Sequence, residues 1–308
     1  MQKTSPTTPE SAAEKLSSSS PFVAKARAFG ELLKFRLSLL VAFSAVFGYA
    51  MAANMMNIAV SGWNYVWVCI GALLVTGASN TLNQISEREL DLLMRRTQAR
   101  PLPTNRLTVR ESLVYALLLA IAGVAVMGKL FNLPAALLSI IALLSYAFVY
   151  TPLKRITPFA VFVGAFPGAL PPLIGWVAVT GKLDAAGLML FAFQFFWQFP
   201  HFWAIAWISD EDYRKAGFKM LPSAAGKTRF STVMILLYSL CLVALPIFPY
   251  LMEITGIWAT IALTVLGIGF ALPAVQLYRT FEDAAANRLM FASFIYLPLI
   301  QAVFLLMA

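Results

Sequence analysis

Asn83, Glu87 and Asp91 are spaced i, i+4 and i+8, so on a helix they share one face. An amide oxygen and two carboxylates on one stripe suit Mg²⁺, a hard cation that takes oxygen ligands and completes its shell with water and substrate phosphate. Arg95, Arg96 and Arg100 follow directly. Forked guanidinium groups beside a metal suit a diphosphate, whose remaining charge they take by paired hydrogen bonds. A solvated helix end with ordinary i,i+4 salt bridges uses the same spacing, and spacing alone does not separate the two readings.

A second polar stretch, Ser209–Arg229, carries Asp210, Glu211, Asp212, Arg214, Lys215, Lys219 and Lys227. Leading into it, Gln194, Gln198 and His201 (i, i+4, i+7) place three polar groups on one stripe of an otherwise aromatic segment. Polar groups at membrane depth are costly and face a bundle interior or a water-filled cavity. His201 is the only histidine. Its plain reading is an interhelical hydrogen bond. Its sharper reading is a base or a ligand to a porphyrin iron.

The elements that must hold these residues are membrane helices. The chain has 308 residues, 60% hydrophobic and only 12% charged, about half the charged fraction of an average soluble domain. Long apolar runs near 20 residues read as spanning helices and not as barrel strands. Nine are read, at about 37–56, 62–83, 110–128, 133–150, 158–179, 185–207, 230–250, 254–275 and 288–307. The predicted class is all-α: a polytopic membrane protein with nine transmembrane helices around a central cavity.

Charge placement supports that count. Of 23 Lys and Arg, only Lys129 and Lys182 fall after odd-numbered spans. The positive-inside rule then places the N-terminus in the cytoplasm and the C-terminus on the opposite side. The net charge of +9 is accounted for by this bias and the two basic loops. With no basic–aromatic interleaving outside the membrane, no nucleic-acid partner is expected. A bacterial inner (plasma) membrane is expected, because a tail containing Glu10 and Glu14 makes a poor transit peptide.

Residues 1–28 are expected to be a disordered cytoplasmic tail, rich in Ser, Thr and Pro at its start, and 29–308 a single domain. Within 21–36, Lys25, Arg27, Lys34 and Arg36 mixed with Phe and Leu read either as an interfacial helix or as basic flanking sequence. Cys69 and Cys241 lie in apolar runs without metal-ligand spacing. Gly164, Pro167, Gly168, Pro171, Pro172 and Gly175 predict a kinked fifth span that its neighbours approach closely.

Several of these segments resemble the membrane prenyltransferases of the 4-hydroxybenzoate polyprenyltransferase type. Within them they look most like the protoheme IX farnesyltransferases, or haem O synthases. Asn83-xxx-Glu87-xxx-Asp91 followed by Met94-Arg95-Arg96-Thr97-xx-Arg100 is similar to that family's Asn-xxx-Asp-xxx-Asp and Met-x-Arg-Thr-xx-Arg. Tyr150-Thr151…Leu153-Lys154-Arg155, Gly168…Pro171-Pro172…Gly175-Trp176 and His201-Phe-Trp…Asp212-Tyr213…Met220-Leu221-Pro222 also match. Glu87 stands where the family more often has Asp, Ala160 where Asn is expected, and Ile208 where a carboxylate four residues before Asp212 is expected.

The resemblance implies farnesyl transfer from farnesyl diphosphate to a vinyl group of haem B, with water supplying a hydroxyl. It implies Asn83, Glu87, Asp91 and Asp212 around Mg²⁺ and diphosphate. Arg95, Arg96, Arg100, Lys154, Arg155 and Tyr150 become substrate-binding candidates, and His201 a residue that orients haem. Partners in the haem pathway or in terminal-oxidase assembly fit the same reading. The rivals are a prenyltransferase acting on an aromatic quinone precursor, and a transporter. A transport path requires polar groups toward the opposite face, where spans 7–9 offer little beyond Gln276 and Gln301.

Overall fold

The computed structural model describes residues 20–307, which contain helices and no strand. Helix α1 (Pro21–Leu33) precedes α2 (Phe35–Met55), α3 (Gly62–Asp91) and α4 (Val109–Leu130). Next come α5 (Leu133–Leu153), which contains a π-helical turn at Ser145–Tyr150, and α6 (Ala160–Thr180). The chain continues through α7 (Ala185–Ile208), the short α8 (Asp210–Lys215), α9 (Arg229–Leu251), α10 (Ile257–Thr280) and α11 (Asp283–Met307). Of the tail expected to be disordered, residues 1–19 lie outside the described residues. Residues 21–28, placed in that tail by composition, form most of α1.

Among the described residues, eight helices are long and apolar enough to cross a membrane: α2 to α6 and α9 to α11. Helix α7 has 24 residues, enough length at 1.5 Å rise per residue, but it is not one of the eight. Its two glutamines, its histidine and its proline lower its hydropathy. The apolar count is therefore eight where the sequence predicts nine.

Helices α2, α6 and α7 form the middle of the bundle. α2 packs on α3, α6 and α11; α6 packs on α5 and α7; α7 packs on α9 and α11. Glycine lets the backbones of α2 and α6 meet: a Cβ at Gly48 would lie 1.9 Å from Pro172 O, and one at Gly175 1.9 Å from Ala45 O.

Pro167, Pro171 and Pro172 sit inside α6, and each removes an N–H from the helical ladder. The carbonyl that Pro172 leaves without its donor is Gly168 O, and Gln194 Nε2 of α7 donates to it at 2.9 Å. Gln198 Nε2 donates to Ala165 O at 3.0 Å. Two members of the polar stripe on α7 thus serve the backbone of α6.

Outside the spans, α1 lies against the loop that follows α3. Ala28 and Leu32 bury against Leu102 and Leu107, and Arg106 forks onto Glu31 at 2.8 and 2.7 Å. Gln84 Nε2 of α3 donates to Leu32 O at 2.8 Å. The chain then turns into α2 through Lys34, which has φ 48° and ψ 53°, a left-handed backbone that non-glycine residues seldom adopt.

Candidate active site

Helix α3 runs to Asp91, beyond the expected end of its apolar stretch, and this extension carries the acidic stripe. Asn83, Glu87 and Asp91 are all buried, at 2%, 6% and 0% exposed. Each has its own partner. Asn83 Nδ2 donates to Thr151 Oγ1 at 3.1 Å. Glu87 is in an ion pair with Lys154, itself buried. Asp91 accepts from Arg100 Nη1 at 2.8 Å on each oxygen. A solvated helix end is excluded by this burial, since charged groups enter a protein interior only when paired.

The partners come from the turn that closes α5 and from the loop after α3. The π-helical turn sets Thr151 in place, with Thr151 Oγ1 donating to Tyr146 O at 2.8 Å; such irregular turns recur at functional sites. The Lys154 ammonium lies 4.8 Å from the centre of the Tyr150 ring and 5.4 Å from that of Phe218. In the loop after α3, Thr97 Oγ1 donates to Asp91 O at 2.9 Å, bending the chain so that Arg100 returns to the carboxylate.

The second polar stretch closes over the first. Lys219 N donates to Lys154 O at 2.8 Å, and Arg96 donates to the Tyr213 hydroxyl at 3.1 Å. Asp212 is half-buried on α8, one residue before Tyr213. Arg95 and Arg155 are exposed. Among the described residues no three His, Cys, Asp or Glu side chains gather as a ready metal cluster, so Asp212 does not join Glu87 and Asp91 in one. The oxygen set on α3 still fits Mg²⁺. Glu87 Oε1 is buried with the Lys154 ammonium against it, a cation where Mg²⁺ would stand, and two carboxylates with an amide oxygen are the donors Mg²⁺ takes.

His201 lies elsewhere. Its Nδ1 is 2.6 Å from Ser293 Oγ of α11, and its ring stacks on Trp197 with centres 4.7 Å apart. The interhelical hydrogen bond expected of a lone buried histidine is present.

Lys34, read in the sequence only as one of four basic residues before the first span, was not among the expected site residues. At the α1–α2 turn it is half-buried and feels the charges of Arg100, Lys154, Glu87 and Asp91. Burial first, and then the two neighbouring cations, lower its pKa from 10.5 to about 7. Three cations, Lys34, Arg100 and Lys154, thus lie within electrostatic reach of Glu87 and Asp91, leaving an excess of positive charge. The available signal was a basic residue three positions before the first apolar span.

Comparison with known proteins agrees with the geometry. The UbiA prenyltransferase family model matches residues 40–297. A protein of Cytophaga hutchinsonii named protoheme IX farnesyltransferase is 45% identical over 280 residues, covering 91% of this chain and 97% of that protein. One of Parvibaculum lavamentivorans with the same name is 39% identical, covering 91% and 88%. Among solved structures, one described as digeranylgeranylglyceryl phosphate synthase superposes with a TM-score of 0.74 at 21% identity, covering 91% of this chain and 97% of that one. A UbiA homologue from Archaeoglobus fulgidus bound to GPP and Mg²⁺ gives 0.61 at 16% identity, covering 92% and 99%. At those identities the structures show a shared fold, and the sequence matches carry the rest: this chain is a membrane protein of the UbiA prenyltransferase family, on the branch whose members are named protoheme IX farnesyltransferase.

Proposed function

We propose that the chain transfers farnesyl from farnesyl diphosphate to a vinyl group of haem B, with water adding a hydroxyl, to give haem O and diphosphate. The observation that carries this reading is the buried stripe Asn83–Glu87–Asp91, each carboxylate held by a cation that is itself suited to diphosphate. The names of the relatives supply the acceptor.

Asn83, Glu87 and Asp91 would hold Mg²⁺, with Asp212 as a second acidic anchor. The ion supplies charge that the departing diphosphate needs. With the ion held there, Arg100 and Lys154 would be free to take phosphate oxygens. Lys34, Arg96 and Arg95 face the same charge from α1 and the loop after α3, and Arg155 lies beside Lys154. Tyr150 backs the Lys154 ammonium with its π face, keeping it directed into the pocket. The site therefore exchanges internal ion pairs for ligand ones, which limits the cost of keeping charges out of water.

The farnesyl chain would lie deeper, between the helices, where water is kept from the cation. The hollow between α2, α6, α7 and α11 has a volume of about 10 Å³, too small for a fifteen-carbon chain, so binding would part these helices. His201 would act on haem through the α7–α11 contact that Ser293 fixes. Helix α7 would be the ninth span, buried by its neighbours. The N-terminus and the diphosphate site would face the cytoplasm of a bacterium, as the lysine and arginine bias requires.

The test is direct. Purified protein in lipid nanodiscs, given farnesyl diphosphate, ferrous haem B and Mg²⁺, should yield a heavier, more hydrophobic haem and free diphosphate, read by mass spectrometry of extracted porphyrins. Prenylation of 4-hydroxybenzoate in place of haem would overturn the acceptor.

A further inference from the structure

Helix α4 begins at Val109, at the same rim as Asp91, because a single loop joins it to the end of α3. Along its first turns an open groove runs between α4 and α1, with a volume of about 320 Å³, within the range of small-molecule sites. Phe29 of α1 and Val114, Tyr115 and Leu118 of α4 make its wall, and Arg110 and Glu111 stand at its mouth. The Phe29 and Tyr115 rings, with centres 4.9 Å apart, join the two sides. Val114 and Leu118 are 52% and 61% exposed. From Arg110 to Leu118 the helix advances about 12 Å at 1.5 Å per residue, from the rim into the apolar span.

The charges at the mouth do not balance. Glu111 is the one carboxylate lining the groove, and both its oxygens are committed. Oε1 pairs with the Lys25 ammonium, and Oε2 accepts from Thr108 N at 3.0 Å to complete the cap of α4. Arg110 is exposed and has no carboxylate partner among the described residues; Arg27 and Arg36, also exposed, have none either. Glu31, the other carboxylate of α1, is taken by Arg106. Phe22, 82% exposed, stands on the same helix as Lys25 and Arg27. Large apolar side chains and cations presented together are the pattern of a helix lying in the membrane interface.

We propose that this groove binds one anionic phospholipid, its phosphate against Arg110 and one acyl chain along Val114 and Leu118. The mouth offers an unbalanced guanidinium at the depth of a headgroup, and the wall below it is apolar where the bilayer is apolar. A choline headgroup would bring a further cation among those of α1 and α4, whereas an anionic one meets their excess charge. The occupant touches both α1 and α4, and α1 leads directly into the Lys34 turn. None of these groove residues belongs to the diphosphate site, so the proposal stands apart from the farnesyl-transfer reading.

Native mass spectrometry of the full chain, released from nanodiscs of equal phosphatidylglycerol and phosphatidylcholine with the same acyl chains, tests this. The wild type should retain one lipid, with phosphatidylglycerol favoured by roughly fivefold, the factor one basic side chain contributes near an anionic surface. Arg110→Gln should abolish that preference. Val114→Trp, which fills the groove and leaves the cations in place, should lower retention of both lipids. Both side chains are exposed, so unchanged helicity should accompany both losses. Arg288→Gln removes an exposed cation near the start of α11 and should change nothing. Equal retention of the two lipids by the wild type overturns the proposal. A loss in Arg288→Gln as large as in Arg110→Gln would make the effect a diffuse surface attraction, and full retention in Val114→Trp would place the lipid elsewhere. Delipidated protein in detergent, given inorganic phosphate alone, should carry no adduct. A phosphate adduct that Arg110→Gln removes would make this a site for a free anion and overturn the lipid.

Discussion

Arg100 places a single nitrogen, Nη1, 2.8 Å from both carboxylate oxygens of Asp91. The carboxylate is fully buried and the arginine side chain is about one-fifth exposed. An arginine held this way is a counter-ion to be displaced, because its remaining nitrogens are free to find phosphate once a cation takes Asp91.

Asp91→Ala should therefore remove turnover, lowering kcat/KM by at least the roughly 10²–10³-fold expected when one electrostatic contact to developing charge is lost. Arg100 keeps some solvent access, so its lost partner costs about 1–3 kcal/mol, less than a typical domain's stability. Monodisperse elution and unchanged helicity should accompany the loss. Full activity in that variant would undo the metal assignment.

Lys154 and Glu87 offer the converse experiment. Both are buried, so Lys154→Met leaves a carboxylate uncompensated, at a cost of about 3–5 kcal/mol. Mg²⁺ can then occupy Glu87 without displacing a lysine. The variant should melt below the wild type without Mg²⁺ and gain more in Tm when Mg²⁺ is added, while its KM for farnesyl diphosphate rises. A Mg²⁺ response no larger than that of the wild type would place the ion elsewhere.

The acidic stripe was readable in the sequence because an α-helix converts a four-residue spacing into a shared face, and α3 keeps its helical period through Asp91. The α7 stripe was readable as facing the interior for the same reason, but its partners were not. Period alone puts Gln194 and Gln198 toward the interior, but the carbonyls they meet belong to another helix, and the one that Gln194 meets is freed by Pro172. Ser293, the partner of His201, is 92 residues away in the chain, and no local pattern announces it. The place of Lys34 at the site was not legible, because its left-handed turn breaks the helical period between α1 and α2. The span count differs for a compositional reason: α7 keeps its length and gives up apolarity to the groups that hold α6.

Lys34 gives the site a pH dependence. With its pKa lowered to about 7 by burial and by Arg100 and Lys154, it is partly neutral near physiological pH. Bound diphosphate favours the ammonium, so KM for farnesyl diphosphate should rise as pH increases through 7. Lys34→Arg stays charged over this range and should flatten that rise. The stability effect has the opposite direction. A folded pKa below the ordinary 10.5 penalises the charged lysine fully below about 7 and progressively less toward 10.5. Ligand-free wild type should therefore melt below Lys34→Met at pH 6, with the gap closing as pH rises. Parallel pH profiles for wild type, Lys34→Arg and Lys34→Met would remove Lys34 from the site.

The Gln194 amide and Pro172 form a pair that a double-mutant cycle can resolve. Gln194→Leu removes the donor to Gly168 O and leaves a buried carbonyl unsatisfied, costing about 1–3 kcal/mol. Pro172→Ala restores a backbone N–H to the position from which Gly168 O would ordinarily receive its helical bond. In the Pro172→Ala background, Gln194→Leu should therefore cost less, with a coupling of about 1 kcal/mol for residues sharing one acceptor. Additive losses in Tm would mean that Gln194 holds α7 through packing alone, and that the proline run in α6 makes no demand on its neighbour.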